Sequence, residues 1–355
     1  MSILKTVNVY RRILTKSLTK NIGNSHRNQT IDLSQKIEIK RVLISRPNHR
    51  LGNLLLVTPL VQDVSVTFPD CKIDLFVKGG LTPIIFENYK NIDIIIELPK
   101  KPFKNLIAYF KVWVQLKSAK YDIVINVNKN SSSGRLSAQF ADAKYKFFGA
   151  ENTTLEAKYS DYGHIAKYPV YEFRRFLTEL GFPENANSIP SLDLKLSTNE
   201  LAIGKKTVDE IVPAAKKTIS IFTYATDDKC YSTAWWDDFY AALLQEFPNY
   251  NIIEILPVEN VSQIGFKSPT FYSKDIREIG AVIANTEIFI GADSGIMHLA
   301  SASLKPTVGL FSRPNQVTYA PYNNDSTAIN TNSSSTETSI KIIRDILAKR
   351  LLQQK

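Results

Sequence analysis

The chain has 355 residues, 44% of them apolar and 22% charged, which is enough for two domains of roughly 150 residues, each with its own core. Two cysteines, Cys71 and Cys230, are too few for a disulfide framework or a cysteine zinc site and fit a reducing, cytosolic setting. The net charge of +10 attracts polyanions without choosing among them, no run nears the ~18–20 apolar residues of a membrane span, and the start lacks the apolar core and cleavage site of a signal peptide.

Residues 1–38 read as a separate basic extension. Helical spacing would put Tyr10, Ile13, Leu14, Ser17 and Leu18 on one face, with Arg11, Arg12, Lys16 and Lys20 around it. Such a segment is either a solvated tail or a short helix lying on an anionic membrane. From Ile39 to Ser45 an apolar run predicts a buried strand, followed by a loop to Gly52 and an apolar helix opening at Asn53. Further strands are expected at Ile73–Val77, Ile92–Leu98 and Tyr121–Val127. Phe103–Lys120 has helical spacing, with lysines among its aromatic and aliphatic residues. It fits a helix packed on the sheet, or a basic aromatic helix meeting lipid headgroups or an anionic acceptor. A helix is expected at Tyr168–Leu180, and a linker at Phe182–Ser197, with Pro183 and Pro190.

A second alternating set follows. Strands are expected at Thr218–Phe222, Ile252–Leu256, Ile288–Gly291 and Thr307–Phe311, with helices at Ala234–Glu246, Ile276–Asn285 and Gly295–Ser303. Asn323–Ser339 reads as a loop and Ile340–Gln353 as a final amphipathic helix. Alternating strand and helix predicts parallel sheets, hence an α/β fold.

Three segments carry candidate chemistry. In Ile288–Leu299 a buried strand runs into Asp293, Ser294 and Gly295 at a helix start, with His298 one turn on. Open α/β sheets bind ligands beyond the carboxyl ends of their strands, and a helix N-terminus offers amide donors and a partial positive charge to a pyrophosphate. In Thr223–Lys229, Lys229 can reach the phosphates of a nucleotide leaving group, stabilising the charge that builds as the glycosidic bond breaks. In the first loop, Arg46 and Arg50 can meet anionic groups, Gly52 lets a backbone approach closely, and Asn53 is a suitable helix cap. The sequence has no P-loop, dinucleotide fingerprint, HExxH or GxSxG motif, and its four histidines are not spaced as metal ligands. Basic residues are spread out with no accompanying motif, so nucleic acid is not expected as a partner.

Taken together, "RLGNLLLVTPL" (Arg50–Leu60), "YDIVINV" (Tyr121–Val127), "DDKCYSTAWWDDF" (Asp227–Phe239) and "GADSGIMHLASA" (Gly291–Ala302) resemble glycosyltransferase family 9, the ADP-heptose:lipopolysaccharide heptosyltransferases. The resemblance runs from about Arg41 to Tyr322. It implies a GT-B fold: two facing Rossmann-like domains with parallel sheets and a cleft between them. It also implies inverting transfer without metal or cofactor, from a nucleotide diphosphate sugar (ADP-heptose-like) to a lipid-linked or lipopolysaccharide core acceptor. By resemblance, Asp293, Ser294 and Gly295 bind the ribose or diphosphate, and His298 matches a histidine of the same motif. Thr226 and Lys229 contact donor phosphate, Glu259 the ribose, and Lys274 lies near the adenine-contacting stretch. Arg46, Arg50 and Gly52 fall to the acceptor side.

One departure bears on catalysis. The family usually has Gly-Asp where this chain has Gly52-Asn53, and that aspartate is taken as the general base. An amide cannot accept the proton, whereas base catalysis is typically worth ~10²–10⁴-fold. His49, in the same loop, is a candidate substitute. The alternatives are a catalytically silent sugar-nucleotide-binding protein and a GT-B sugar-nucleotide epimerase. The expected layout is a basic extension at 1–38, an acceptor domain at 39–185, a donor domain at 186–335 and a terminal helix at 336–355. The expected location is cytoplasmic, with peripheral contact at the inner face of the cytoplasmic membrane.

Overall fold

The computed structural model describes residues 37–100, 105–128, 130–149 and 152–353, so all but the last two residues of the expected basic extension lie outside it. It divides into two compact units. The first comprises residues 37–49, Pro59–Pro83 and Tyr89–Pro190; the second comprises Arg50–Thr58, Ile84–Asn88 and residues 191–353.

The first unit is built on β1 (Arg41–Ser45), β2 (Lys72–Lys78), β3 (Ile92–Leu98), β4 (Lys120–Asn126) and β5 (Asp142–Phe147), in the order β3-β2-β1-β4-β5. All neighbouring pairs are parallel. The central strand β1 is buried from Val42 onward, as its unbroken apolar run requires when helices cover both faces. Helix Leu106–Ser118 begins where the Asn105 side chain accepts from the Ala108 amide at 3.0 Å, and helix Ser132–Phe140 is capped likewise by Ser131. Trp113, Tyr109 and Leu116 of the first helix and Ala138 of the second join Leu43, Phe76 and Val124 in one core.

The second unit holds a six-stranded parallel sheet, order β11-β10-β9-β6-β7-β8. Its strands are β6 (Lys217–Phe222), β7 (Tyr250–Ile255), β8 (Thr270–Phe271), β9 (Ile288–Ala292), β10 (Thr307–Phe311) and β11 (Thr327–Asn330). Ile219 and Ile221 of β6 and Ile288 and Ile290 of β9 pack with Trp236 and Phe239 of helix Thr233–Glu246. Ile340, Ile343 and Leu347 of helix Thr336–Gln353 close the same core. The register places Phe222 beside Gly291 and Leu310 beside Ala292, so the loops after β6, β9 and β10 leave one edge of the sheet together.

Three expectations need correction. Asn53 does not cap the first helix: that helix is Leu51–Leu55, with Arg50 at its N-cap and no side-chain capping bond, and Asn53 lies inside it. The apolar run does not make one helix either. A second begins at Thr58, because Pro59 has no amide to donate, and the Thr58 hydroxyl bonds the Leu55 carbonyl at 2.8 Å instead. The expected loop Asn323–Ser339 contains the edge strand β11 and the first turn of the terminal helix.

Candidate active site

The shared edge of β6, β9 and β10 collects polar side chains from three loops of the second unit. After β6, a 3-10 turn at Asp227–Lys229, with Asp227 at a positive φ of 59°, swings the chain round so that Lys229 points back at the sheet edge. Its Nζ lies 2.6 Å from Oδ2 of Asp293, the residue after β9. The same oxygen accepts from Asn315 Nδ2 at 2.8 Å, in the loop after β10. Asp293 itself is buried, and its amide donates to the Leu310 carbonyl at 3.1 Å. A buried carboxylate with a charged and a neutral donor fixes a lysine ammonium at the mouth of the sheet. Arg313, also after β10, forms an ion pair with Asp228 and joins that loop to the 3-10 turn.

Directly after Asp293, Ser294 caps helix Gly295–Ala302, its Oγ accepting from the Met297 amide at 3.2 Å. The helix thus starts beside the Lys229 ammonium, and its dipole adds positive potential there. His298 is buried one turn in, its ring 6.3 Å from that of Tyr319. Gly52, from the first loop of the chain, packs against this turn. A Cβ at Gly52 would meet His298 Cδ2 at 2.7 Å and Gly295 Cα at 3.5 Å, and a Cβ at Gly295 would meet Leu51 Cβ at 3.3 Å. The two glycines let helix Leu51–Leu55 lie on the start of helix Gly295–Ala302.

Several neighbours escaped sequence reasoning. Tyr231, following the Lys229 turn, shares a 2.9 Å hydrogen bond with Thr331 beyond β11. Burial pushes its hydroxyl pKa up, Asp293's charge adding to the effect and hydrogen bonds to Thr331 and Ser312 opposing it. Glu254, fully buried on β7, accepts from Thr223 at 2.5 Å and Ser262 at 2.7 Å, and burial raises its pKa. It ties the loop after β6 to the loop after β7. Asn315 and Arg313 carry no local signal because their partners lie 22 and 85 residues away in sequence, across strand registers.

Of the residues singled out by sequence, Lys229, Asp293, Ser294, Gly295, His298 and Gly52 come together in this unit. Thr226 is exposed at the head of the 3-10 turn and makes no side-chain capping bond. Glu259 and Lys274 are exposed on the segments after β7 and β8, outside the hydrogen-bonded cluster of Lys229, Asp293 and Asn315. The first loop is divided: Arg46, buried, and His49, exposed, belong to the first unit, whereas Arg50, Gly52 and Asn53 belong to the second. Among the described residues, no group of three or more His, Cys, Asp or Glu could hold a metal ion.

Comparison with known proteins agrees with this layout. Residues 273–343, which contain β9, the Asp293 turn, β10 and Asn315, match Glycosyltransferase family 9 (heptosyltransferase). The lipopolysaccharide core heptosyltransferase OpsX of Haemophilus influenzae is 23% identical over 294 residues, 77% of this chain and 80% of that protein. The glycosyl transferase family 9 structure from Veillonella parvula superposes with a TM-score of 0.69 at 18% identity, over 90% of this chain and all of that one. The E. coli heptosyltransferase WaaC with ADP gives a TM-score of 0.61 at 14% identity, over 87% of this chain and 99% of that one. The fold is therefore GT-B, and the chain is a glycosyltransferase related to family 9, the heptosyltransferases.

Proposed function

We propose that the chain transfers a heptose or related sugar from an ADP-heptose-like nucleotide diphosphate donor to a lipopolysaccharide-type acceptor, with inversion and without a metal. The observation that carries this reading is the Lys229–Asp293–Asn315 cluster at the start of helix Gly295–Ala302. The named functions of the heptosyltransferase relatives, and the ADP that accompanies the E. coli WaaC structure, support the choice of donor. In this reading the acceptor hydroxyl attacks the anomeric carbon, and the bond to the diphosphate oxygen breaks with its electron pair. Lys229 and the helix start neutralise the departing negative charge, supplying what a metal supplies in other transferases. Asp293 holds the ammonium in place until the donor arrives. Thr226 touches donor phosphate, Glu259 touches the ribose and Lys274 lies near the adenine, while Arg46 and Arg50 meet anionic groups of the acceptor.

The acceptor proton goes to His49, because Asn53 cannot take it. Peripheral contact with an anionic membrane belongs to the same proposal, since the acceptor is lipid-borne. A second reading, donor binding without transfer, is favoured by one observation, the amide at position 53. Release of ADP from ADP-heptose, with and without acceptor lipid, separates the two. Acceptor-dependent release, abolished or cut at least ~10²-fold by His49→Ala, supports transfer with His49 as base. Binding without release supports the silent protein, and unchanged turnover in His49→Ala removes His49 from the mechanism.

A further inference from the structure

Helix Leu106–Ser118 carries two apolar stripes where packing needs one. Tyr109, Val112, Trp113 and Leu116, at i, i+3, i+4 and i+7, face the core of the first unit. Leu106, Ile107, Phe110 and Val114 form a second stripe turned to solvent and are 63, 73, 69 and 50% exposed. Helix Ser132–Phe140 packs beside it, Phe140 meeting the Trp113 ring edge-on at 5.7 Å. It extends the apolar surface with the exposed side chains of Leu136 and Phe140. Monomeric proteins seldom leave a contiguous apolar patch of this kind without a partner.

Basic residues predominate in the sequence around the patch. Between Leu98 and Tyr121 the sequence holds six lysines, at 100, 101, 104, 111, 117 and 120, and no acidic residue. Lys111 and Lys117 are exposed on the helix itself, and Lys117 Nζ sits 6.0 Å from the centre of the Phe140 ring. The second helix has Arg135 and no acid. Burial lowers the pKa of Lys146 and nearby Lys117 lowers it further, with Asp142 opposing. Exposed apolar side chains with lysines among them are the pattern that inserts at an anionic lipid surface, each cation near the surface strengthening the attraction. The chain's own first 36 residues fit the patch poorly, because they carry seven basic residues and one acid and would be repelled by the same lysines.

We propose that the outward face of helix Leu106–Ser118, with Leu136 and Phe140 beside it, is the surface by which this protein docks on anionic lipid. The proposal rests on the membrane contact in the proposed function but names the face that makes it. The test is co-sedimentation of the full chain with vesicles of phosphatidylcholine alone, or with about one third phosphatidylglycerol. Thermal stability and ADP binding are measured on the same samples, so that loss of docking is distinguished from failure of the donor site. The protein pellets only with the phosphatidylglycerol vesicles, and less so as salt rises. Ile107→Ser/Phe110→Ser weakens binding about tenfold or more, and Lys111→Glu/Lys117→Glu does so comparably, with melting temperature and ADP binding unchanged. Any of the following results would overturn the proposal. The full chain does not bind, both double variants bind like the parent, or Arg11→Glu/Arg12→Glu abolishes binding that Ile107→Ser/Phe110→Ser leaves intact. Loss of a dimer rather than of lipid binding in Ile107→Ser/Phe110→Ser would likewise overturn it in favour of a second copy as the occupant.

Discussion

Two charged clusters in the second unit use similar residues for opposite ends. Arg277 is 6% exposed and all its contacts are internal. Its guanidinium bonds Glu200 at 2.5 and 3.0 Å and the carbonyls of Ile84, Leu194 and Lys195 at 3.1–3.2 Å. This pins helix Ile276–Ala284 to helix Thr198–Ile211, where Glu200 completes the capping box with Ser197, and holds the segment Ile84–Asn88 against both. Lys229, by contrast, is 28% exposed and makes one ion pair, with a carboxylate beside a helix start. A guanidinium whose donors are spent on the protein is structural. An ammonium with three donors and one protein partner keeps capacity for an anion.

That contrast can be broken or sharpened by substitution. The largest effect is expected at Lys229: Lys229→Ala lowers kcat/KM about 10²–10³-fold, while urea unfolding moves by less than about 1 kcal/mol. The reverse is expected at Arg277, where Arg277→Met strands the part-buried Glu200 carboxylate. It costs about 3 kcal/mol in urea unfolding and leaves ADP affinity intact in the folded fraction. Gly52→Ala tests the close approach at the site, because its Cβ overlaps the buried His298 ring. A loss of about 1–2 kcal/mol and weaker ADP binding are expected by calorimetry. The smallest effect concerns acid. Arg277 holds the Glu200 carboxyl at about 2, below its ordinary 4.5. The pair's stabilisation is therefore whole above pH 4.5 and is lost as pH falls towards 2. Glu200→Gln should flatten that acid limb of a melting-temperature profile.

The sequence revealed the Lys229 cluster only in part, and for a definite reason. Asp293, Ser294 and Gly295 stand out because they follow an all-apolar strand without a break, so strand, turn and helix are all visible locally. Asn315 bonds the same carboxylate but stands in an ordinary polar loop, and only the pairing of β9 with β10 brings it there. The edge strands were equally hard to read. In β5 the lysines at 144 and 146 interrupt the apolar signal, and β11 has a single buried side chain, Ile329. The Arg277 cluster was invisible because its partners are backbone carbonyls and a helix cap far apart in the chain. Asn53 lies inside its helix because capping propensity alone does not place a helix start when glycines and neighbouring helices decide the packing.

The account turns on whether the helix start after β9, with Lys229, holds a diphosphate. Isothermal titration of ADP into the full chain and into Lys229→Ala tests this most directly. The expected result is binding to the parent that weakens about tenfold or more in Lys229→Ala, with both proteins melting at the same temperature. Equal ADP affinity in the two, or no binding to either, would contradict it.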